Sequence, residues 1–135
     1  MNNNELIGYV SVRKFGGYAL PVPIQNKLLK SYCDDKGYIY VLPLCELYLS
    51  DNYMALNSTL KKCDLKSQIG MCSIYMLPRN KLVFEKINKI ILQKNIIIHF
   101  IFENKIITHT ELKEYYTLSR IREIIPDKDF ISLYT

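Results

Sequence analysis

Met71-Cys72-Ser73-Ile74-Tyr75-Met76-Leu77-Pro78-Arg79-Asn80-Lys81 is the stretch on which the fold turns. Residues 71–76 read as a buried strand, Pro78 cannot continue a central strand, and Asn80 is a good residue to open a helix. In an open parallel sheet the carboxyl ends of such strands are where ligands sit. Working outward, Leu6-Ile7-Gly8-Tyr9-Val10-Ser11-Val12 makes a similar handover and delivers Ser11 and Arg13 to the same kind of edge.

The intervening chain follows one rhythm. The connection after the first strand carries Gly16-Gly17, and Pro23 suits the first turn of a helix. Ile24, Leu28, Leu29, Tyr32 and Cys33 recur at helical spacing, and Gly37 supplies the left-handed stop. Residues 38–42 form a second strand ended by Pro43. Asp51 caps a second helix bearing Tyr53, Met54, Leu56, Leu60 and Cys63, and residues 64–70 are a polar link. After the opening stretch, Val83, Phe84, Ile87, Ile90 and Ile91 make one apolar stripe of a third helix that ends at Asn95. Residues 96–102, apolar except for His99 in the middle, read as a strand buried on both faces. Thr108-His109-Thr110-Glu111 has the form of a capping box and opens a fourth helix, broken at Pro126. The tail carries a candidate edge strand at 130–133.

The predicted order β-α-β-α-β-α-β-α, with right-handed crossovers, gives an α/β fold. The expected architecture is a flavodoxin-like doubly wound, mainly parallel four-stranded sheet in the order 2-1-3-4, with helices on both faces. The 135 residues make a single domain, core 5–125 and tail 126–135.

Composition narrows the function. Eighteen basic against thirteen acidic residues leave a net charge of +5. Lys dominates, and Arg occurs only at 13, 79, 120 and 122. Lys-rich surfaces are chiefly solvated faces, so nucleic acid is not the expected partner. Cys33, Cys45, Cys63 and Cys72 form no C-x-x-C pair, so neither zinc nor a disulfide framework is expected, and they read as core residues of a cytoplasmic protein. The amino terminus lacks a signal peptide's pattern, and the longest apolar run is too short to span a bilayer. No G-x-G-x-x-G follows the first strand, and the loop there lacks the hydroxyl run that cradles a flavin phosphate, so no cofactor is expected.

Strand ends gather the candidate site. Glu46, His99 and Glu103 are the candidates for proton transfer, since carboxylates in unlike environments can divide acid and base roles and imidazole titrates near neutrality. Ser11, Arg13, Gln25, Asn26, Tyr75 and Arg79 are the candidates for binding, with an arginine suited to holding a phosphate or carboxylate.

Two resemblances add to this. Ile7-Gly8-Tyr9-Val10-Ser11-Val12-Arg13, with Ile24-Gln25 on a helix ending at Gly37-Tyr38, resembles the catalytic domain of serine recombinases in layout. The chemistry of that family is missing. Arg13 stands where its nucleophilic serine belongs, Ser11 where an arginine belongs, and Leu77-Pro78-Arg79-Asn80-Lys81-Leu82 lacks the aspartate and one arginine of its second motif. The closer resemblance is to the sporadic carbohydrate cluster proteins, found among bacterial surface-polysaccharide genes. It rests on Gly8-Tyr9 with Ser11 and Arg13, Pro23-Ile24-Gln25-Asn26, Tyr32-Cys33, Glu46, Tyr53-Met54, Tyr75-Met76-Leu77-Pro78 with Asn80, and His99-Phe100 with Glu103.

That resemblance implies work on a lipopolysaccharide O-antigen or capsule sugar. The expected ligand is a phosphorylated or nucleotide-linked sugar, and the expected chemistry a cofactor-independent isomerase or lyase reaction. The alternative is a non-catalytic partner subunit of a larger sugar enzyme, with a degenerate resolvase-like DNA-binding protein behind it. A homodimer is the expected assembly.

Overall fold

A computed structural model describes residues 4–15, 17, 19–46 and 53–124. Its centre is a five-stranded sheet built from β1 (Glu5–Gly8), β3 (Ile39–Val41), β5 (Gln68–Met71), β6 (Ile97–Phe100) and β7 (Lys105–Ile107). The spatial order is β3-β1-β5-β6-β7; the first four strands are parallel, and β7 returns antiparallel to β6. Two short strands, β2 (Val10–Ser11) and β4 (Cys45–Glu46), pair parallel beyond the ends of β1 and β3. The helices are α1 (Val22–Lys36), α2 (Met54–Lys62), α3 (Lys81–Lys94) and α4 (Leu112–Ile124).

The pleat decides which side chains meet which helix, because neighbouring residues of a strand point to opposite faces. On one face, Leu6 packs near Leu29 of α1, and Gly70 lies between them where any Cβ would collide with the Leu6 side chain. His99 belongs to this face, bonded to Tyr32 of α1. On the other face Ile69, Met71, Ile98 and Phe100 join Leu56 and Leu60 of α2, Phe84, Ile87 and Ile91 of α3, and Leu112 and Tyr116 of α4 in one buried cluster. Helices therefore cover both faces of a mainly parallel sheet.

Four elements differ from the sequence reading. The sheet has five strands, not four: residues 101–104 turn the chain back, with Asn104 at φ 53°, and Lys105–Ile107 pairs with β6. Nothing in the apolar pattern marks this hairpin, since Ile106 is exposed and only Ile107 is buried. The third strand occupies 68–71, not 71–76. The apolar residues after it form a 3₁₀ turn, Ile74–Met76, started by the Ser73 hydroxyl, which accepts from the Tyr75 N–H. Burial after a strand end looks like strand when only hydrophobicity is read. The first strand is interrupted at Tyr9, whose N–H still donates to the Gly70 carbonyl, so 10–11 continue as a separate ladder. Helix α2 begins at Met54, after Asp51, which lies outside the described residues, as does the candidate strand at 130–133.

Several local signals act as read. Gly37 and Asn95 take left-handed conformations, φ 81° and 54°, and close α1 and α3. Asn80 caps α3, its Oδ1 accepting from the Leu82 and Val83 N–H groups. Glu111 accepts from both the N–H and the hydroxyl of Thr108 ahead of α4. Cys33, Cys63 and Cys72 are buried free thiols as read, whereas Cys45, also read as a core residue, is exposed on the short edge strand β4. Among the described residues no helix is long and apolar enough to cross a membrane.

Candidate functional site

The carboxyl ends of β1, β2 and β5 open on a cleft of about 270 Å³. Ser11, Arg13, Tyr75 and Arg79 line it, together with Lys14, Phe15, Gly17, Tyr53, Met76 and Glu123. It lies where α1 leaves for one face of the sheet and the later helices for the other, the place where a parallel sheet leaves a crevice.

Arg13 is its central group. The Ser11 Oγ accepts from the Arg13 N–H at 3.1 Å, and the Val12 N–H donates to the Glu46 carbonyl, so the loop leaves β2 in one direction. The Arg13 guanidinium carbon stands 3.9 Å over the centroid of the Tyr53 ring. Its Nη1 and Nη2 are buried and have no hydrogen-bond partner among the described residues. Burying a cation is costly, and leaving its donors unmade adds to the cost. An arginine fork in this state is complementary to a bidentate oxyanion.

Glu46 holds the ring under Arg13. It is 1% exposed, and its carboxylate accepts from the Ala55 and Leu56 N–H groups at 3.0 and 3.1 Å and from the Tyr9 hydroxyl at 3.0 Å. These are the first amides of α2, so Glu46 caps that helix from another strand. Tyr53 immediately precedes Met54, the first residue of the helix, with φ 50° and ψ 50°, a left-handed conformation that a bulky residue seldom adopts. Burial raises the Tyr53 phenol above its usual range, opposed by Arg13. Burial and the Glu46 charge also push the Tyr9 phenol well up, which keeps it a donor to that carboxylate.

Gln25 supports the cleft from behind. It is fully buried; its Oε1 accepts from the Ser11 N–H, and its Nε2 donates to the carbonyls of Ser11 and Leu20. The side-chain amide thus completes the edge of β2 as another strand would. Asn26 lies elsewhere: its Oδ1 accepts from the Tyr40 hydroxyl at 2.7 Å, between α1 and β3.

The remaining candidates fall in other surroundings. Glu103 accepts from the Ser73 hydroxyl and the Ile74 N–H, both at 2.8 Å, and so fixes the 3₁₀ turn that carries Tyr75. Tyr75 is raised chiefly by burial, and its hydroxyl donates to the Ser119 carbonyl at 3.4 Å. His99 is 1% exposed, with its Nδ1 2.7 Å from the Tyr32 hydroxyl and its Nε2 2.7 Å from Gln68 Oε1. Rings of Tyr32 and Tyr38 meet it edge-on, and burial lowers its pKa to about 4. The neutral imidazole donating to Gln68 and accepting from Tyr32 satisfies all three groups. None of Glu46, His99 and Glu103 lines the cleft.

The cleft therefore assembles Ser11, Arg13, Tyr75 and Arg79, rests on Gln25, Glu46 and Glu103, and excludes Asn26 and His99. Sequence reasoning passed over Lys14 and Glu123 and read Tyr53 as core. Tyr53-Met54 was legible as an apolar start of a helix, but the left-handed turn that swings the ring under Arg13 has no sequence signal. Glu123, on α4, ion-pairs with Arg79 at 3.4 Å and with Arg120 at 2.7 Å. Among the described residues no group of three or more His, Cys, Asp or Glu side chains could hold a metal ion. No protein-family model matches the chain, and no curated protein matches it.

Proposed function

We propose that the protein binds a phosphorylated or nucleotide-linked sugar in the cleft, with a phosphate seated on Arg13, and that it serves the making of a bacterial surface carbohydrate in the cytoplasm. The observation that carries the binding is that Arg13, which lines a 270 Å³ cleft, has two buried Nη groups without a hydrogen-bond partner among the described residues. Lys14 and Arg79 add positive charge around it, against the single carboxylate of Glu123. The carbohydrate pathway rests on the resemblance to the sporadic carbohydrate cluster proteins. The order of the parallel strands and the helices on both faces support a flavodoxin-like or resolvase-like variety of the α/β class.

A specific observation favours the second reading, a non-catalytic partner subunit, over an isomerase or lyase. Glu46, His99 and Glu103 each spend their polar atoms on internal hydrogen bonds. A general acid or base must come within hydrogen-bond reach of the reacting group, and these three stand away from the cleft wall. Sugar binding through phosphate does not depend on them.

Calorimetric titration of the protein with sugar 1-phosphates and nucleotide sugars tests the proposal. Binding that disappears in Arg13→Ala, at unchanged circular dichroism, is the expected result. Heat-free titrations with every phosphate ligand, or an Arg13→Ala variant that binds as the wild type does, would end it.

A further inference from the structure

A second hollow, of about 340 Å³, adjoins the cleft between the start of α3 and the outer face of α4. Arg79 and Glu123 line both hollows, so the two share a wall. The wall is a side-chain contact at 3.4 Å with the Arg79 side chain 77% exposed, which little holds in place. The second hollow differs in chemistry from the first. Phe84 and Tyr116, both buried core side chains, stack on each other beneath it, ring centroids 3.6 Å apart and planes 3° from parallel, and the Tyr116 hydroxyl is tied to the Pro78 carbonyl. Ile121 adds an apolar side chain that is 48% exposed, and Lys81 and Thr117 form a polar rim.

Ligand sites commonly enclose roughly 300–1,000 Å³. The phosphate cleft falls short of that range by itself, and joined to the groove it lies well inside it. Arg13, Lys14 and Arg79, set against the Glu123 carboxylate, leave a positive cleft that suits the two charges of a diphosphate ester as well as those of a phosphate monoester. A bare sugar phosphate would leave the apolar groove filled with water. A planar heterocycle has apolar faces for the walls and polar edges for the rim, whereas a saturated chain has nothing to offer Lys81 and Thr117.

Resting on the reading of the cleft as a phosphate site, we infer that the ligand is a nucleoside diphosphate or its ester. Its phosphates lie along Arg13 and Arg79, and its base lies in the groove between α3 and α4. The groove then selects nucleotide-linked over simple phosphorylated sugars. Arg79 leaves Glu123 when the diphosphate arrives.

The probes are sodium pyrophosphate, glucose 1-phosphate, decyl phosphate and the 5′-diphosphates of uridine, adenosine, guanosine and cytidine, each titrated calorimetrically into the whole chain. At least one nucleoside diphosphate should bind ten or more times more tightly than pyrophosphate. Thr117→Trp, which fills the groove from an exposed and uncharged position, should erase that advantage and leave pyrophosphate affinity unchanged. Equal affinity for pyrophosphate and all four nucleotides overturns the inference while leaving the phosphate site standing. So does decyl phosphate outbinding every nucleotide, or a Thr117→Trp loss shared equally by pyrophosphate. Absence of binding by every phosphate overturns the underlying reading, and the inference with it.

Discussion

Arg13 and His99 are both polar side chains withdrawn from water in the same small domain, and they are opposites in what surrounds them. His99 lies on the α1 face of the sheet with both ring nitrogens partnered and aromatic edges around it. Arg13 lies at the carboxyl edge with two η nitrogens buried and unpartnered beside a cleft. A closed hydrogen-bond network specifies a fold, and each of its members needs the others. An open set of donors costs the fold something and serves a ligand that brings the acceptors. Residue type would have suggested the reverse, because histidine is the usual candidate for chemistry and a surface arginine the usual candidate for solvation.

The contrast can be broken by experiment. The largest expected effect tests the support beneath Arg13. Glu46→Ala leaves the Ala55 and Leu56 amides and the Tyr9 hydroxyl without their acceptor. Equilibrium urea unfolding should show a loss of about 3–5 kcal/mol. A loss below 1 kcal/mol would mean that the α2 cap is not what holds this edge together.

His99 comes next, through pH. With the native pKa lowered to about 4 by burial and the unfolded value near 6.5, the unfolded chain takes up a proton in that window and the native protein does not. Stability is therefore complete above pH 6.5, declines as pH falls from 6.5 to 4, and levels off below 4 for this group. The decline is at most about 3 kcal/mol. His99→Leu should be less stable at pH 7 and lack this part of the pH slope in urea titrations. A variant that keeps the full slope would assign it to other groups.

Arg13→Met should move stability in the opposite direction from His99→Leu. Replacing a half-buried cation whose Nη donors are unmade by an apolar side chain of similar length, which still packs on the Tyr53 ring, should raise ligand-free stability by about 1 kcal/mol. Thermal unfolding followed by circular dichroism reads this directly, and a lower melting temperature would show that Arg13 has a structural role after all.

Arg79→Gln, the smallest effect, should change ligand-free stability by no more than about 0.5 kcal/mol, since the pair with Glu123 is solvent-exposed on the arginine side. A larger loss in urea unfolding would turn the wall between the two hollows from a movable contact into a fixed one.

Local rules carried much of the fold. Gly37, Asn80 and Asn95 mark helix ends because caps depend on a few adjacent residues. The apolar run around His99 is a buried strand, as continuous hydrophobicity implies, although it is shorter than the run itself. Where burial and secondary structure part company, the reading slipped: Ile74 and Met76 are buried in a 3₁₀ turn, and Lys105–Ile107 pairs as a strand with two of its three residues exposed.

The site divides the same way. That Arg13 follows a strand end is written in the order of the residues, and so is the α/β alternation that brings strand ends to one edge, whereas Arg79 reaches that edge only across the 3₁₀ turn after β5. Which buried polar group is satisfied and which is left open depends on partners far along the chain. Tyr32 is 67 residues from His99, and Glu46 caps a helix through amides 9 and 10 residues ahead, beyond the left-handed Tyr53. Hydrogen bonds are short and directional, so whether a donor meets an acceptor is a fact about positions in space. Periodicity along the chain records only which face each residue occupies, and tertiary packing alone separates the structural histidine from the arginine that awaits an anion.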